Sequence, residues 1–256
     1  MLALESRRAA EMAELIRKQG GDPFVAPSLR EAPIERNQET FQFAERLFAG
    51  GFDMMALLTG VGTRQLNRLL ATRYPETAFA GALRRITVVA RGPKPVAALR
   101  EMGLAPALTA PEPNTWRELL AVTDGRPERR IAVQEYGRSN PELLAALRAR
   151  GAEVTSVRVY QYALPEDPAP LRQAARLLAA GEFQLALFTT AVQIEHLMAV
   201  AEDGPATLAA LRKLRIASIG PTTTEALEEF GLAPWMEPSH PKMGLLVKEA
   251  AERDIA

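Results

Sequence analysis

One stretch of this chain occurs twice, as GGFDMMALLTGVGTRQLNRLL at residues 50–70 and as GEFQLALFTTAVQIEHLMAV at residues 181–200. Phe52 and Phe183 are 131 residues apart, and Thr59 matches Thr190 at the same separation. Each copy has a short apolar run, then a Thr or Gly turn, then apolar residues spaced by three and four. This order predicts a buried strand, a turn and a helix in each copy.

Two further pairs of segments follow the same rule. Residues 2–29 resemble residues 131–160, where Gly20 and Gly151 are 131 apart, and residues 83–104 resemble residues 211–232, where Gly92 and Gly220 are 128 apart. Three matches in the same order and at nearly the same separation indicate an old tandem duplication. Alternating strands and helices then predict an α/β protein with two parallel-sheet domains, each sheet covered by helices on both faces. In such sheets ligands gather beyond the carboxyl ends of the strands.

Two Pro-containing stretches are the linker candidates, REAPIERN at residues 30–37 and ALPEDPAP at residues 163–170. Proline stiffens an extended chain and stops helices. If both stretches cross between domains, the chain leaves its first domain near residue 33, builds a second, and returns to finish the first. Periodicity alone equally permits two contiguous domains divided near residue 130.

Composition excludes several classes of protein. The 256 residues include 31 Lys or Arg and 31 Asp or Glu, and this balance argues against a general binder of nucleic acid or anionic membrane. The absence of Cys excludes disulfides and thiolate sites, and two His leave little for a metal site. The charged first twenty residues, and the lack of an apolar run of about 18 residues, predict a cytoplasmic protein without a membrane span.

Four short motifs carry a resemblance to one family. They are FTT at 188–190, IGPTTTEAL at 219–227, the EFGL at 229–232, and VRVYQY at 157–162. The Gly-Pro-Thr-Thr turn followed by an Ala/Leu helix is the most specific of them. Across essentially its whole length the chain resembles uroporphyrinogen-III synthase.

The resemblance implies a bilobed protein with two extended linkers, in which residues 1–33 and 167–256 form a discontinuous domain and residues 34–166 form the inserted one. It implies a cyclising hydro-lyase of tetrapyrrole biosynthesis, which converts hydroxymethylbilane to uroporphyrinogen III with loss of water and inversion of ring D. It further implies no metal or organic cofactor and no nucleic-acid or membrane partner. A monomer that receives its substrate from the upstream deaminase is expected.

Tyr160 is the catalytic candidate, because it matches the family's Tyr in V-x-V-Y, the favoured proton donor to the leaving hydroxyl. A phenol with a pKa near 10 is protonated at neutral pH and is able to donate. The structural alternative is a Tyr at a strand end that packs on a linker. Tyr162 is a rival candidate nearby.

The substrate bears eight carboxylates, so the remaining candidates are hydrogen-bond donors and cations. Helix N-termini have free N–H groups and a partial positive charge, and the alternative at the 219–227 turn is an ordinary capping box from Thr222 to Glu225. Strand-end hydroxyls beside free amides make a second cradle, and Arg side chains hold carboxylates by paired donors. The predicted binding residues are Gly220, Thr222 and Thr223 in the turn, Thr189 and Thr190 with their counterparts Thr59 and Gly60, and Arg7, Arg91 and Arg138.

Charge is distributed unevenly along the chain. Residues 60–100 hold eight basic residues and one acidic residue, whereas residues 195–256 hold six basic and ten acidic residues. An Arg-rich inserted domain suits a polycarboxylate, although most of these charges are typical of solvated helix faces. A two-domain solute-binding or sensor protein that closes on a polycarboxylate without catalysis is the alternative function. A nucleotide-binding protein is disfavoured, because no strand-end turn reads G-x-G-x-x-G.

Overall fold

The computed structural model describes residues 1–34, 38–135, 137 and 139–255 and divides the chain into two compact units. Unit 1 comprises Met1–Arg30 and Tyr162–Ala256, and unit 2 comprises Glu31–Gln161. The chain therefore passes between units after residues 30 and 161, rather than after residues 33 and 166.

Strands and helices alternate through most of the described chain. They are β1 (Leu2–Ala3), α1 (Ala9–Lys18), β2 (Phe24–Val25), β3 (Arg30–Pro33), α2 (Gln38–Phe48), β4 (Met54–Leu57), α3 (Gly60–Ala71), α4 (Ala78–Leu83), β5 (Thr87–Ala90), α5 (Pro93–Glu101), β6 (Leu108–Thr109), α6 (Trp116–Val122), β7 (Arg130–Gln134), α7 (Pro141–Ala149), β8 (Glu153–Val157), β9 (Tyr160–Ala163), α8 (Ala169–Ala179), β10 (Leu185–Phe188), α9 (Val192–Val200), α10 (Gly204–Lys213), β11 (Arg215–Ser218), α11 (Pro221–Glu228) and α12 (Met243–Ile255).

Unit 1 contains a parallel sheet of four strands in the order β11-β10-β1-β2. Successive side chains of a strand point to opposite faces, and β10 buries both of its faces. Ala186 and Phe188 pack in a cluster with residues of α8 and α9, whereas Leu185 and Leu187 pack with residues of α1 and α12. Helices therefore cover both faces of the sheet, which confirms the predicted α/β class.

Unit 2 contains a parallel sheet of five strands in the order β6-β5-β4-β7-β8. Its central strand β4 is buried along its whole length, as expected for a parallel strand covered on both faces. The two-residue edge strand β6 follows the third repeat segment and is an addition to the four strands that the units share.

Strand pairing confirms the repeat. Ala3 pairs with Leu187 and Val25 in unit 1, and Val133 pairs with Ala56 and Ser156 in unit 2. The central strands and the last strands of the two sheets are thus offset by 131 residues, and β1 and β7 by 130. At these offsets Leu4 is the counterpart of Gln134, Glu5 of Glu135, and Leu29 of Tyr160.

Strands β3 and β9, where the chain passes between units, form a two-stranded sheet. The first predicted linker therefore begins as a strand, and the second begins at the last residue of β9. Residues 35–37 of the first linker lie outside the described residues.

The amino edge of the unit 2 sheet is held by an ion pair. The Asp53 carboxylate accepts hydrogen bonds from the backbone N–H groups of Arg130 (2.9 Å) and Arg129 (3.2 Å) and from the Arg130 side chain. The Arg130 side chain is the largest cause of the fall in the pKa of Asp53 to about 2. Because the folded-state pKa is depressed, Asp53 stabilises the fold above its ordinary pKa, and this contribution is lost as pH falls towards 2.

Two classes of site are not found in the described part of the chain. None of its helices has the length and apolarity needed to cross a membrane. Its His, Asp and Glu side chains nowhere gather in a group of three able to hold a metal ion.

We predict that Gly151→Ala lowers the free energy of unfolding by about 1–2 kcal/mol. Gly20 and Gly151 follow the first helices of their units with φ of 80° and 81°, and an added Cβ meets nothing within 4 Å at either position. The cost therefore comes from the left-handed backbone alone. Urea unfolding measures it.

Gly81→Ala is the matched control for this measurement. Gly81 lies in α4, where an added Cβ also meets nothing within 4 Å and φ is not positive. This substitution should raise the free energy of unfolding by about 0.5–1 kcal/mol, because Ala is the better helix former. Equal stability of Gly151→Ala and the wild type would contradict the prediction.

Candidate functional site

The carboxyl edge of the unit 2 sheet joins Thr59 to Tyr160. Thr59 follows β4 and caps α3, where its Oγ1 accepts a hydrogen bond from the backbone N–H of Gly62 at 3.0 Å. The same Oγ1 lies 3.2 Å from the Tyr160 hydroxyl, and either oxygen is able to donate. The structure thus brings together the catalytic candidate and one predicted binding residue.

A buried glutamine stabilises this turn. Gln134, the last residue of β7, is fully buried, and its Oε1 accepts from the backbone N–H of Thr59 at 3.3 Å. Its Nε2 donates to the carbonyl of Glu135. A Cβ added at Gly62 would overlap the Gln134 amide, and one at Gly60 would overlap the Lys94 carbonyl. The close approach expected at this Gly-Val-Gly turn is therefore used by the protein's own groups.

Arg91 directly follows β5 in the divergent RGPKP turn and is partly exposed. Its backbone N–H donates to the Leu57 carbonyl at 3.0 Å, which places it beside the end of β4. The Asn114 side-chain amide, oriented with its nitrogen towards the turn, donates to the carbonyls of Arg91 at 3.2 Å and Ala110 at 3.1 Å. An added Cβ at Gly92 would approach this amide to 2.6 Å, so a glycine is needed here.

Arg138 lies outside the described residues. The loop that contains it begins at Glu135, a carboxylate only 1% exposed. Glu135 Oε1 accepts hydrogen bonds from the Ser139 hydroxyl at 2.9 Å and from the backbone N–H of Asn140 at 2.8 Å. Asn140 in turn caps α7 through the backbone N–H of Leu143. Glu135 therefore organises the start of α7.

At the carboxyl edge of unit 1 a glutamine again binds the strand-end amides. Gln193 Oε1 accepts from the backbone N–H groups of Thr189 (2.6 Å) and Thr190 (3.2 Å). Its Nε2 donates to the Leu4 carbonyl and to Thr189 Oγ1. The amides beside these hydroxyls are thus not free, in contrast to the expectation from sequence. The Thr190 hydroxyl makes no hydrogen bond to another described residue.

Glu5 lies at the same edge, directly beyond β1. Its Oε2 accepts from the Thr189 hydroxyl at 2.7 Å, and its Oε1 accepts from the backbone N–H of Arg8 at 3.2 Å. Ser6 Oγ accepts from the backbone N–H groups of Ser28 and Leu29. Arg7 follows these two residues and is exposed. Because β11, β10 and β1 are neighbours, the candidates that follow them share one edge of the sheet.

The turn after β11 differs from the capping box that the sequence permitted. Helix α11 begins at Pro221, so its cap is Gly220, which has no side chain, and Thr222 is already inside the helix. Thr222 is partly exposed and Thr223 is 4% exposed, and among the described residues neither hydroxyl makes a hydrogen bond. The capping alternative is therefore wrong at Thr222, which leaves its hydroxyl available to a ligand.

Comparison with known proteins identifies the family. The family model for uroporphyrinogen-III synthase HemD matches residues 10–248. The chain belongs to the uroporphyrinogen-III synthase family.

Two solved structures and one sequence relative illustrate this uroporphyrinogen-III synthase membership. A mutant uroporphyrinogen III synthase from the extremely thermophilic bacterium Thermus thermophilus is 27% identical with a TM-score of 0.74, over 99% of this chain and 98% of that one. Uroporphyrinogen-III synthetase from Helicobacter pylori 26695, at 15% identity and a TM-score of 0.55 over 98% of both chains, shows the fold alone. The uncharacterized protein YjjA of Bacillus subtilis (strain 168) is 28% identical over 96% of this chain and 93% of its own length.

Sequence reasoning missed the residues that position the predicted donors in this uroporphyrinogen-III synthase family member. They are Glu5, Gln134, Glu135 and Gln193. A signal existed for the two carboxylates, because a Glu directly follows the repeated first strand in both copies. The two glutamines gave none, because one lies on a strand and the other on a helix.

We predict that the Gln134→Leu and Gly62→Gln substitutions rescue each other. Unit 1 has Leu4 and Gln193 at these two repeat positions, so the double variant moves the amide of unit 2 to the arrangement of unit 1. Each single variant should lower the free energy of unfolding by about 1–3 kcal/mol, through a lost acceptor or through overpacking. The double variant should lose less than the sum.

Chemical denaturation of the four proteins measures the coupling between the two positions. Gly81→Ala is again the control for an added side chain in open space. Strictly additive losses would show that the two positions do not share one site.

Proposed function

We propose that this chain catalyses the cyclisation of hydroxymethylbilane to uroporphyrinogen III, with loss of water and inversion of ring D, as a hydro-lyase. The observation that carries the proposal is the family match over residues 10–248. It is supported by the donor-bearing strand ends in both units, which suit a substrate with many carboxylates.

The proposed reaction asks for placement of the substrate and for one proton. Departure of the hydroxymethyl hydroxyl leaves an azafulvene, and an electron-rich pyrrole carbon attacks it to form the new C–C bond. The protein has to fold the flexible chain so that attack occurs at the substituted carbon of ring D, through a spiro intermediate. The hydroxyl pair of Tyr160 and Thr59 is proposed to supply the proton that leaves as water.

For the carboxylates we propose neutral donors in unit 1 and cations at both strand edges. Thr222, Thr223 and the N-terminus of α11 form the main cradle, with Gly220 bringing the backbone close. Thr190 is assigned as the donor after β10 in place of Thr189, whose proton is directed to Glu5. Arg7, Arg91 and Arg138 are proposed to hold further carboxylates by paired donors.

We further propose that the chain acts in the cytoplasm as a monomer and takes the bilane from the upstream deaminase. The open-chain substrate closes spontaneously to isomer I, so rapid transfer favours isomer III. Sedimentation at working concentration tests the monomer.

The wild-type protein is expected to convert hydroxymethylbilane to isomer III well above the level of spontaneous closure. Chromatographic separation of the oxidised porphyrin isomers measures the ratio of isomers III and I. Buffer without protein and heat-inactivated protein are the controls. Binding of the bilane with only isomer I formed would replace the proposal with a binding or sensor function.

Removal of the Thr222 hydroxyl is expected to lower kcat/KM about tenfold, because a hydrogen bond to a charged group contributes about 1.5–3 kcal/mol. Thr222→Ala leaves the helix intact, since Thr222 does not cap it. Thr224→Ala is the control two residues further on, because the Thr224 hydroxyl donates to Glu237 within the protein. Equal kcat/KM values for the two variants would remove Thr222 from the site.

A further inference from the structure

Thr59 and Tyr160 differ in their access to a ligand. Tyr160 is 1% exposed, whereas Thr59 is partly exposed at the carboxyl edge of the sheet. A side chain with almost no exposed surface does not touch a ligand in this arrangement. Of the two hydroxyls only Thr59 offers a surface for contact.

The hydrogen bonds of Thr59 determine where its proton points. A hydroxyl has one donor and two acceptor lone pairs, and the backbone N–H of Gly62 occupies one lone pair. If Tyr160 donates into the second, the Thr59 proton is the only part of the group left to interact. Thr59 is then oriented as a donor towards the open edge.

The repeat shows that this pair belongs to one unit. Leu29 is the counterpart of Tyr160, and it has no hydroxyl to offer Thr190, the counterpart of Thr59. The buried phenol of unit 2 is therefore a departure from the duplicated pattern. Burial of a phenol requires a partner, and Thr59 provides one.

We infer that Thr59 is the residue that contacts the leaving hydroxyl and that Tyr160 supplies its proton through Thr59. The inference rests on the proposed function and divides its proton donor into a contact and a source. Thr59 is thus the catalytic residue, and Tyr160 is its positioning residue and proton reserve.

The proton transfers balance over the reaction. The C–O bond of the hydroxymethyl group breaks as Thr59 gives its proton to the departing oxygen, which leaves as water. Thr59 takes the proton of Tyr160, and a phenolate remains there, because a phenol is far more acidic than an alcohol. After the new C–C bond forms, the cyclised ring loses one proton, which returns to Tyr160 through Thr59.

A double-mutant cycle on the full chain tests this assignment, with kcat and KM measured for formation of isomer III. Thr59→Val and Tyr160→Phe should each lower kcat by about a hundredfold and change KM by less than about threefold. The double variant should be no slower than either single variant, because residues that act as a unit are not additive. Thr59→Ser, which keeps the hydroxyl, should recover most of the loss seen in Thr59→Val.

Thr59→Asn separates catalysis from folding. Asn is a good helix cap but has no hydroxyl, so this variant should unfold at the same urea concentration as the wild type and still have the low kcat. A large loss in Tyr160→Phe with little loss in Thr59→Val would show that Tyr160 contacts the substrate, and additive losses would show independent roles. Either result overturns the inference, whereas absence of isomer III with the wild-type protein overturns the proposed function itself.

Discussion

Parallel strands end in backbone N–H groups that no neighbouring strand pairs, and both units satisfy them with a glutamine side chain. Gln134 binds the strand-end N–H of Thr59, and Gln193 binds those of Thr189 and Thr190. A buried unpaired N–H costs about 1–3 kcal/mol, so each turn depends on its glutamine. The turns that carry the donor hydroxyls of both units are therefore fixed before any ligand binds.

The duplication preserved this interaction but not the residue that makes it. In unit 1 the glutamine lies on α9, at the position that is Gly62 in unit 2, and in unit 2 it lies on β7, where unit 1 has Leu4. Gly62 is required once Gln134 fills the space beside it. The difference also separates the two turns in function, because Thr59 is bonded to Tyr160 whereas the Thr189 hydroxyl donates to Glu5.

The sequence alone predicts those parts of the fold that depend on local pattern. The strands, the helices after them and the repeat follow from the spacing of apolar residues, which is the same in any chain that folds this way. The linkers were misplaced by a few residues, because β3 and β9 pair with each other across 130 residues of chain. The capping box at Thr222 was wrong, because Pro221 is favoured in the first turn of a helix and moves the start by one residue.

The site was less accessible to sequence reasoning, because its contacts join distant residues. Gln134 and Tyr160 reach Thr59 across 75 and 101 residues, and no spacing rule connects them. The resemblance pointed to Tyr160 but said nothing of its burial, and burial is what distinguishes a contacting group from one that acts through a neighbour.

Charge attracts a polycarboxylate but does not select its shape. Several Arg residues of the basic stretch at 60–100 are already paired with acids outside it, as Arg64 is with Glu101 at 2.7 Å and Arg73 with Glu45 at 3.3 Å. The excess of positive charge that remains accelerates association, yet it acts equally on every conformation of a flexible chain. Inversion of one ring requires that one conformation be favoured, and directional donors do this, because a hydrogen bond weakens steeply when misaligned. The fixed hydroxyls and helix N-terminus, rather than the cations, are for this reason the groups on which isomer selection depends.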